Sequence, residues 1–96
     1  MSGHGAPAAR RFDDQALAAL AAASNSTYCE CPRHLTEIVL MLNSFERYST
    51  QCAVRSADDA LLHEQLNHAA GSARVLLEAA LERLARAEGL PLPAGM

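Results

Sequence analysis

Two cysteines and a histidine lie close together in the segment Cys29-Glu30-Cys31-Pro32-Arg33-His34. Proline is favoured at the first position of a helix, so Pro32 predicts that a helix begins there with Cys31 as its N-cap. Capping-box geometry then brings the side chains of Cys31 and His34 together, with Cys29 near them on the preceding loop. Thiolate and imidazole bind zinc, copper(I) and iron, so the segment predicts a metal site formed by Cys29, Cys31 and His34.

A fourth ligand for this metal site is not evident. If the two long helices described below form a hairpin that turns near Arg55, then Glu78 or Glu82 could approach the cysteines. Cys52 lies about 27 Å further along the same helix, which is too far to complete the site within one protomer.

The same segment allows two other interpretations. A thiol at a helix N-terminus has a lowered pKa, which would make Cys31 a reactive thiolate, and a Cys-Pro pair ligates haem in some regulators. Alternatively, the segment is a helix start whose thiols and histidine bind nothing. A second polar group, formed by His63, Glu64 and His68, is interpreted as a solvated helix face, because His63 and His68 are five residues apart and do not share a face.

Three helices should position these residues. Asp13 and Asp14 before an Ala-Leu run predict a short helix from about Asp13 to Ala23, because acids are favoured in a first turn. A second helix begins at Pro32. A third is predicted from about Ala57 to Glu88, with a capping box of Ser56 and Asp59 at its start and with Gly89 and Pro91 at its end. The predicted organisation is a disordered arm or linker over residues 1–11, one helical domain over 12–90, and a disordered tail over 91–96.

Apolar residues recur at alternating spacings of three and four along both long helices, as on the buried face of an amphipathic helix. The stripe on the second helix is Leu35, Ile38, Leu42, Phe45 and Cys52. The stripe on the third is Leu62, Leu66, Ala69, Ala73, Leu76, Ala80 and Leu84. Two long helices and a short one have little core, so we expect an all-α antiparallel hairpin that dimerises into a four-helix-type bundle. Gly71, in the middle of the third helix, suggests that another helix approaches closely there.

Composition restricts the class of protein. The chain has 96 residues, a formal net charge of −3 and three cysteines. One small domain with this charge is not expected to grip a nucleic-acid backbone by itself. No apolar run predicts a membrane span, and the N-terminus lacks the apolar core of a signal peptide. An odd number of cysteines argues against a disulfide framework, so a cytoplasmic protein with free thiols is expected. No phosphate loop, nucleophile elbow or carboxylate pair is recognisable, so an enzyme is not expected.

Most of the chain, from Cys29 to Leu90, resembles the C-terminal region that follows the DNA-binding part of some proteobacterial MerR-family transcriptional regulators. The residues that carry the resemblance are Cys29-x-Cys31-Pro32-x-His34, Phe45-Glu46-x-Tyr48-Ser49-x-x-Cys52, Leu62-His63 and Glu88-Gly89. The resemblance implies a helical domain that senses an effector or dimerises in gene regulation. This chain carries no winged helix-turn-helix, so DNA binding is not implied, and its partner could be a transcriptional regulator.

Together these features predict a small regulatory domain of the sensor or dimerisation type, with a metal bound by Cys29, Cys31 and His34. The alternatives are a structural interaction module without a ligand, and a thiol redox or haem sensor.

Overall fold

A computed structural model describes residues 9–24, 29–52 and 55–93 of the chain, and within these ranges every regular element is an α-helix. The helices are α1 (Asp14–Ala23), α2 (Cys31–Gln51) and α3 (Ala57–Glu88). The prediction of an all-α chain with one short and two long helices is confirmed. No helix among the described residues is both long enough and apolar enough to cross a bilayer.

The start of α3 is capped as the sequence predicts, and the start of α1 has a side-chain cap at Asp13. The Asp13 carboxylate accepts a hydrogen bond from the Ala16 N–H at 2.8 Å, which satisfies one of the unpaired amides of the first turn of α1. At α3 the Ser56 hydroxyl accepts from the Asp59 N–H at 3.1 Å. The Asp59 carboxylate reaches back to the Arg55 N–H, also at 3.1 Å, so the reciprocal bond falls one residue before the cap.

The start of α2 differs from the prediction by one residue. Cys31 is the first helical residue and Pro32 the second, while the N-cap is Glu30, which makes no side-chain capping bond. The expected pairing of Cys31 with His34 as N-cap and third residue is therefore wrong. The His34 N–H instead donates to the Glu30 backbone carbonyl at 3.0 Å, as an ordinary first-turn bond.

The end of α3 is set by Gly89, whose φ of 70° lies in the left-handed region that favours glycine. This turn lets the Leu90 N–H donate to the Ala85 carbonyl at 2.8 Å. Leu90 and Leu92 then fold back onto the apolar core. Leu92, which belongs to the predicted tail of residues 91–96, is thus packed against the core, and residues 94–96 lie outside the described part.

The apolar core is small and lies where α1 meets the two long helices. Its fully buried members are Phe12, Leu17, Leu20, Val39, Leu81 and Ala85. Within the described chain α1 packs on α2 and α2 packs on α3. Beyond the reach of α1, the contact between α2 and α3 contains few apolar side chains, so other interactions must hold the two helices together there.

The surface by which α2 contacts its neighbours is largely polar. Its buried residues are Pro32, Thr36, Val39, Asn43, Glu46 and Ser49. Four members of the apolar stripe that we predicted for α2 each precede a buried position by one residue, so they lie about 100° around the helix from the buried face: Leu35, Ile38, Leu42 and Phe45. On α3 the buried residues are Ala70, Gly71, Arg74, Glu78, Leu81 and Ala85, which again differ from the predicted stripe.

Candidate functional site

The thiols of Cys29 and Cys31 lie next to each other at the start of α2, and both residues are exposed. The Cys31 N–H points to the Cys29 sulfur at 3.4 Å. A hydrogen bond to the Cys29 side chain raises the pKa of the Cys31 thiol, because it stabilises the protonated form. The Cys29 side chain thus acts on the Cys31 pKa in the direction opposite to that expected from a helix N-terminus, and the role of Cys31 as the favoured thiolate stays a prediction.

The imidazole of His34 lies between two glutamates, one in the preceding turn and one in the following turn. Its Nε2 is 3.4 Å from the Glu30 carboxylate, and its Nδ1 is 3.9 Å from the Glu37 carboxylate. In the described part of the chain, no three histidine, cysteine, aspartate or glutamate side chains are grouped so as to hold a metal ion. The structure thus brings Cys29 and Cys31 together, while the three-ligand site with His34 stays a prediction.

Among the carboxylates of α3, it is Glu88 whose negative charge contributes to the raised pKa of Cys31. The glutamates suggested as a fourth ligand have other partners. Glu78 binds Arg74 inside the molecule. Glu82 forms ion pairs with Arg11 and Arg86, and its hydrogen bond from Arg86 is the main reason that its pKa is lowered.

A buried ion network occupies the contact between α2 and α3. Arg74 is fully buried, and Glu46 and Glu78 are 3 % and 1 % exposed. The Arg74 Nε donates to Glu46 Oε1 at 2.8 Å, and its Nη1 donates to Glu78 Oε1 at 3.0 Å. One guanidinium thus joins two carboxylates of different helices. Such charge-assisted bonds are directional, so they fix which residues of α2 and α3 face each other.

The network extends along α2 in both directions. Arg10 donates to Glu46 Oε1 at 3.3 Å, which gives this oxygen a second cation. On the other side, the Asn67 side-chain amide donates to the Ser49 hydroxyl at 2.7 Å and to the Glu46 carbonyl at 3.2 Å. These bonds satisfy polar groups that would otherwise be costly to bury.

Gly71 makes room for the network. A Cβ at this position would lie 3.0 Å from Glu46 Oε2. The prediction of a close approach at Gly71 is confirmed, and the approaching group is a carboxylate of α2. Glu46 Oε2 itself is buried and has no hydrogen-bond partner, as is the case for Asn43 Oδ1.

The apolar side chains that the network displaces lie on the surface. Nine large apolar residues are exposed in the described chain, and all of them belong to α2 or α3: Ile38, Met41, Phe45, Tyr48, Leu61, Leu62, Leu66, Val75 and Leu76. Met41, Tyr48 and Leu76 are 69 %, 65 % and 73 % exposed. A single exposed leucine needs no explanation, but a continuous row of apolar residues marks an interaction surface.

The second polar group of the sequence lies at the start of α3. His63 Nδ1 is 3.8 Å from the Asp59 carboxylate, and neither side chain is fully exposed. His68 is exposed on α3. The interpretation as a solvated face fits His68 but not the half-buried His63, whose Nδ1 has no hydrogen-bond partner.

The ion network was missed by reasoning from the sequence, which treated charged residues as surface residues. One signal was available. Arg74 and Glu78 are four residues apart and continue the three-four rhythm of Ala70, Leu81 and Ala85, so they share the buried face of α3.

Tested against protein-family models, curated proteins and solved structures, the chain has no match.

Proposed function

We propose that this protein is a homodimerising helical module, in which α2 and α3 form a long antiparallel hairpin and pair with the same hairpin of a second copy. The observation that carries the proposal is the apolar surface of α2 and α3, which includes Ile38, Phe45, Leu62 and Leu66 and is exposed in the single chain. Burial of this surface against its own copy would complete a four-helix bundle.

The positions of the two stripes support one shared face. Ile38 and Phe45 lie about 100° around α2 from the residues that face α3. Leu62 and Leu66 lie at a similar angle around α3 from its own buried residues, in the same rotational sense. When two antiparallel helices pack together, side chains that are displaced from the contact by the same angle in the same sense lie on the same side of the pair. The four side chains would therefore form a continuous surface.

The segment before α1 contacts α2 through Asn43 and Glu46, whose angular positions place it on the opposite side of the hairpin. The apolar face therefore remains open to a partner. Stable dimers bury roughly 800 Å² on each protomer. A face that follows α3, which is about 48 Å long, is of the right scale. The small apolar core of the single chain gives a physical reason to need this partner.

The resemblance to the C-terminal region of MerR-family regulators connects such a module with transcription regulation. In this proposal the chain acts in the cytoplasm without catalysis and without gripping DNA itself. It pairs copies of a regulator or binds to a regulator that carries the DNA-binding part. A formal net charge of −3 is consistent with a protein partner rather than a nucleic acid.

The proposal is tested by a charge placed on the apolar face. Leu62→Glu should shift the dimer towards monomer at micromolar concentration, because the interface would have to bury an unpaired carboxylate. Gln15→Glu adds the same charge on the exposed side of α1 and should leave the dimer intact. The masses of both variants are measured by light scattering after gel filtration, with helicity measured by circular dichroism. A dimer that survives Leu62→Glu unchanged would contradict the proposed face.

A second function is favoured by the contact of the Cys31 N–H with the Cys29 sulfur. Two adjacent exposed thiols can bind a thiophilic ion, so we propose zinc, copper(I) or iron ligation by Cys29 and Cys31 with His34 as third ligand. Metal content after anaerobic purification without a His-tag tests this. Near-stoichiometric metal that is lost in Cys31→Ser supports the site. If the purified protein contains no metal, the thiols either bind nothing or form a redox pair. Oxidation to a Cys29–Cys31 disulfide would identify the redox pair.

A further inference from the structure

The four residues from Ala9 to Phe12, which precede the N-cap Asp13 of α1, lie across α2 and α3, and side chains of α3 bind their main chain. The Arg74 Nη1 donates to the Ala9 carbonyl at 3.3 Å. One oxygen of the Glu78 carboxylate accepts from the Arg11 N–H at 3.0 Å and from the Phe12 N–H at 3.3 Å. These bonds do not depend on the side chains of the segment, so they recognise the backbone of a peptide that bends at Arg11 and Phe12 and turns both N–H groups towards one carboxylate oxygen.

The side chains of the same segment are recognised as well. Arg10 donates to the Glu46 carboxylate and, at 3.3 Å, to the Asn43 carbonyl. Arg11 forms an ion pair with Glu82. Phe12 is fully buried in the apolar core. Two consecutive basic residues and the aromatic residue after them therefore each have their own subsite.

The composition of these subsites defines the class of ligand that fits. The segment lies in a groove between α2 and α3 that is lined by Glu46, Glu78 and Glu82. The segment itself carries two arginines. Charge complementarity of this kind selects a basic peptide and rejects an acidic one. The segment has no regular structure of its own, and its arginine side chains remain partly exposed. Apart from Phe12, it is held by hydrogen bonds and ion pairs that can open one at a time.

We propose that the groove between α2 and α3 is a binding site for a peptide with two basic residues followed by an aromatic residue, and that Ala9–Phe12 occupies it as a reversible latch. The latch lies on the side of the hairpin opposite the apolar face, and it binds Glu46 next to Phe45. Its release would change the α2–α3 contact without removing any residue of the apolar face. The proposal does not depend on dimer formation.

Amide hydrogen exchange of the wild-type chain provides the first test. The Arg11 and Phe12 amides should be protected, because both donate to Glu78, but should exchange at least about tenfold faster than those of Val39 and Leu81, since a latch opens without global unfolding. Equal rates at all four amides would make the segment a fixed part of the core. Absence of protection at Arg11 and Phe12 would show that the segment does not dock. Either result would overturn the proposal.

A competition experiment provides the second test. The full chain carrying Arg10→Ala, Arg11→Ala and Phe12→Ala has an emptied groove. It should bind a fluorescent peptide of residues 8–17 at least about tenfold more tightly than the wild-type chain, whose own latch reduces the fraction of open groove. A peptide with both arginines replaced by alanine should not bind. A helical variant that fails to bind the wild-type peptide would overturn the proposal, and if the variant does not fold, the exchange rates of the wild-type chain decide.

Discussion

The Arg74 Nε and the Glu46 Oε1 lie 2.8 Å apart in the contact between α3 and α2, at a position where most helical pairs have apolar side chains. Glu78 binds the same guanidinium from one turn further along α3. The pair therefore sets the register of the two long helices. Apolar side chains of both helices, such as Phe45 and Leu66, lie outside this contact and are exposed.

Replacement of Arg74 by methionine should lower the free energy of unfolding by about 3–5 kcal/mol, because it leaves two buried carboxylates without their cation. Urea denaturation at one fixed protein concentration measures the effect, since the proposed dimer would make stability depend on concentration. Arg83→Met, at an exposed position of the same helix, is the control and should change stability by less than about 0.5 kcal/mol. A loss below about 1 kcal/mol for Arg74→Met would mean that the network does not hold the helices together.

Gly71→Ala should destabilise the protein by about 1–3 kcal/mol, because the new Cβ would lie 3.0 Å from Glu46 Oε2 and overpacks the contact. Helix propensity alone predicts the opposite sign, a gain of up to about 1 kcal/mol. Ser72→Ala, at the exposed neighbouring position, is the matched control and should be neutral or slightly stabilising. Thermal unfolding of the two variants distinguishes the effects, and a stabilised Gly71→Ala would show that Glu46 is free to move.

Cys29→Ala should increase the rate at which iodoacetamide modifies Cys31 near neutral pH. The Cys29 side chain raises the pKa of the Cys31 thiol by accepting its proton in a hydrogen bond, so removal of that sulfur lowers the pKa and yields more thiolate. The rate at each cysteine is measured by mass spectrometry over a pH series. Modification of Cys52 serves as the internal reference and should keep its rate. An unchanged or slower reaction at Cys31 would contradict the hydrogen bond.

Asp59 should make the stability of the protein sensitive to acid. The Arg55 N–H holds the pKa of the Asp59 carboxyl below its ordinary value. A lowered pKa in the folded state stabilises the fold above the pKa of the unfolded state, and the effect is lost as the pH falls through the lowered value. Asp59→Asn should therefore flatten the decline of stability below about pH 4. Urea unfolding at neutral and acidic pH measures it, with Asp58→Asn as control. The same decline in wild type and Asp59→Asn would rule out this role.

Local features of the fold could be predicted from the sequence because their causes lie within a few residues. Asp13, Ser56 and Gly89 define helix ends through their own backbone preferences or side-chain bonds. The caps at Ser56 and Gly89 occur where the sequence predicts them, and α1 begins one residue after the predicted Asp13. The start of α2 was misplaced by one residue because Pro32 is tolerated at either of the first two helical positions, where its missing N–H costs nothing.

The orientation of the helices could not be predicted in the same way. A periodic apolar stripe indicates that a face is buried, but it does not say against which helix. The contact of α2 with α3 uses Glu46 instead, because Arg74, which is distant in sequence, neutralises it. The proximity of Cys29 and Cys31 followed from the sequence, whereas the pairing of His34 with Glu30 and Glu37 depends on the true start of the helix.

If the apolar face pairs with a second copy, the mass of the wild-type chain in solution will show it directly. Sedimentation equilibrium over a hundredfold range of concentration, in reducing buffer, measures it. The proposed homodimer should have twice the chain mass of 10.2 kDa at micromolar concentration, and the Leu62→Glu variant should dissociate. A wild-type chain that sediments at 10.2 kDa throughout the range would contradict a homodimer.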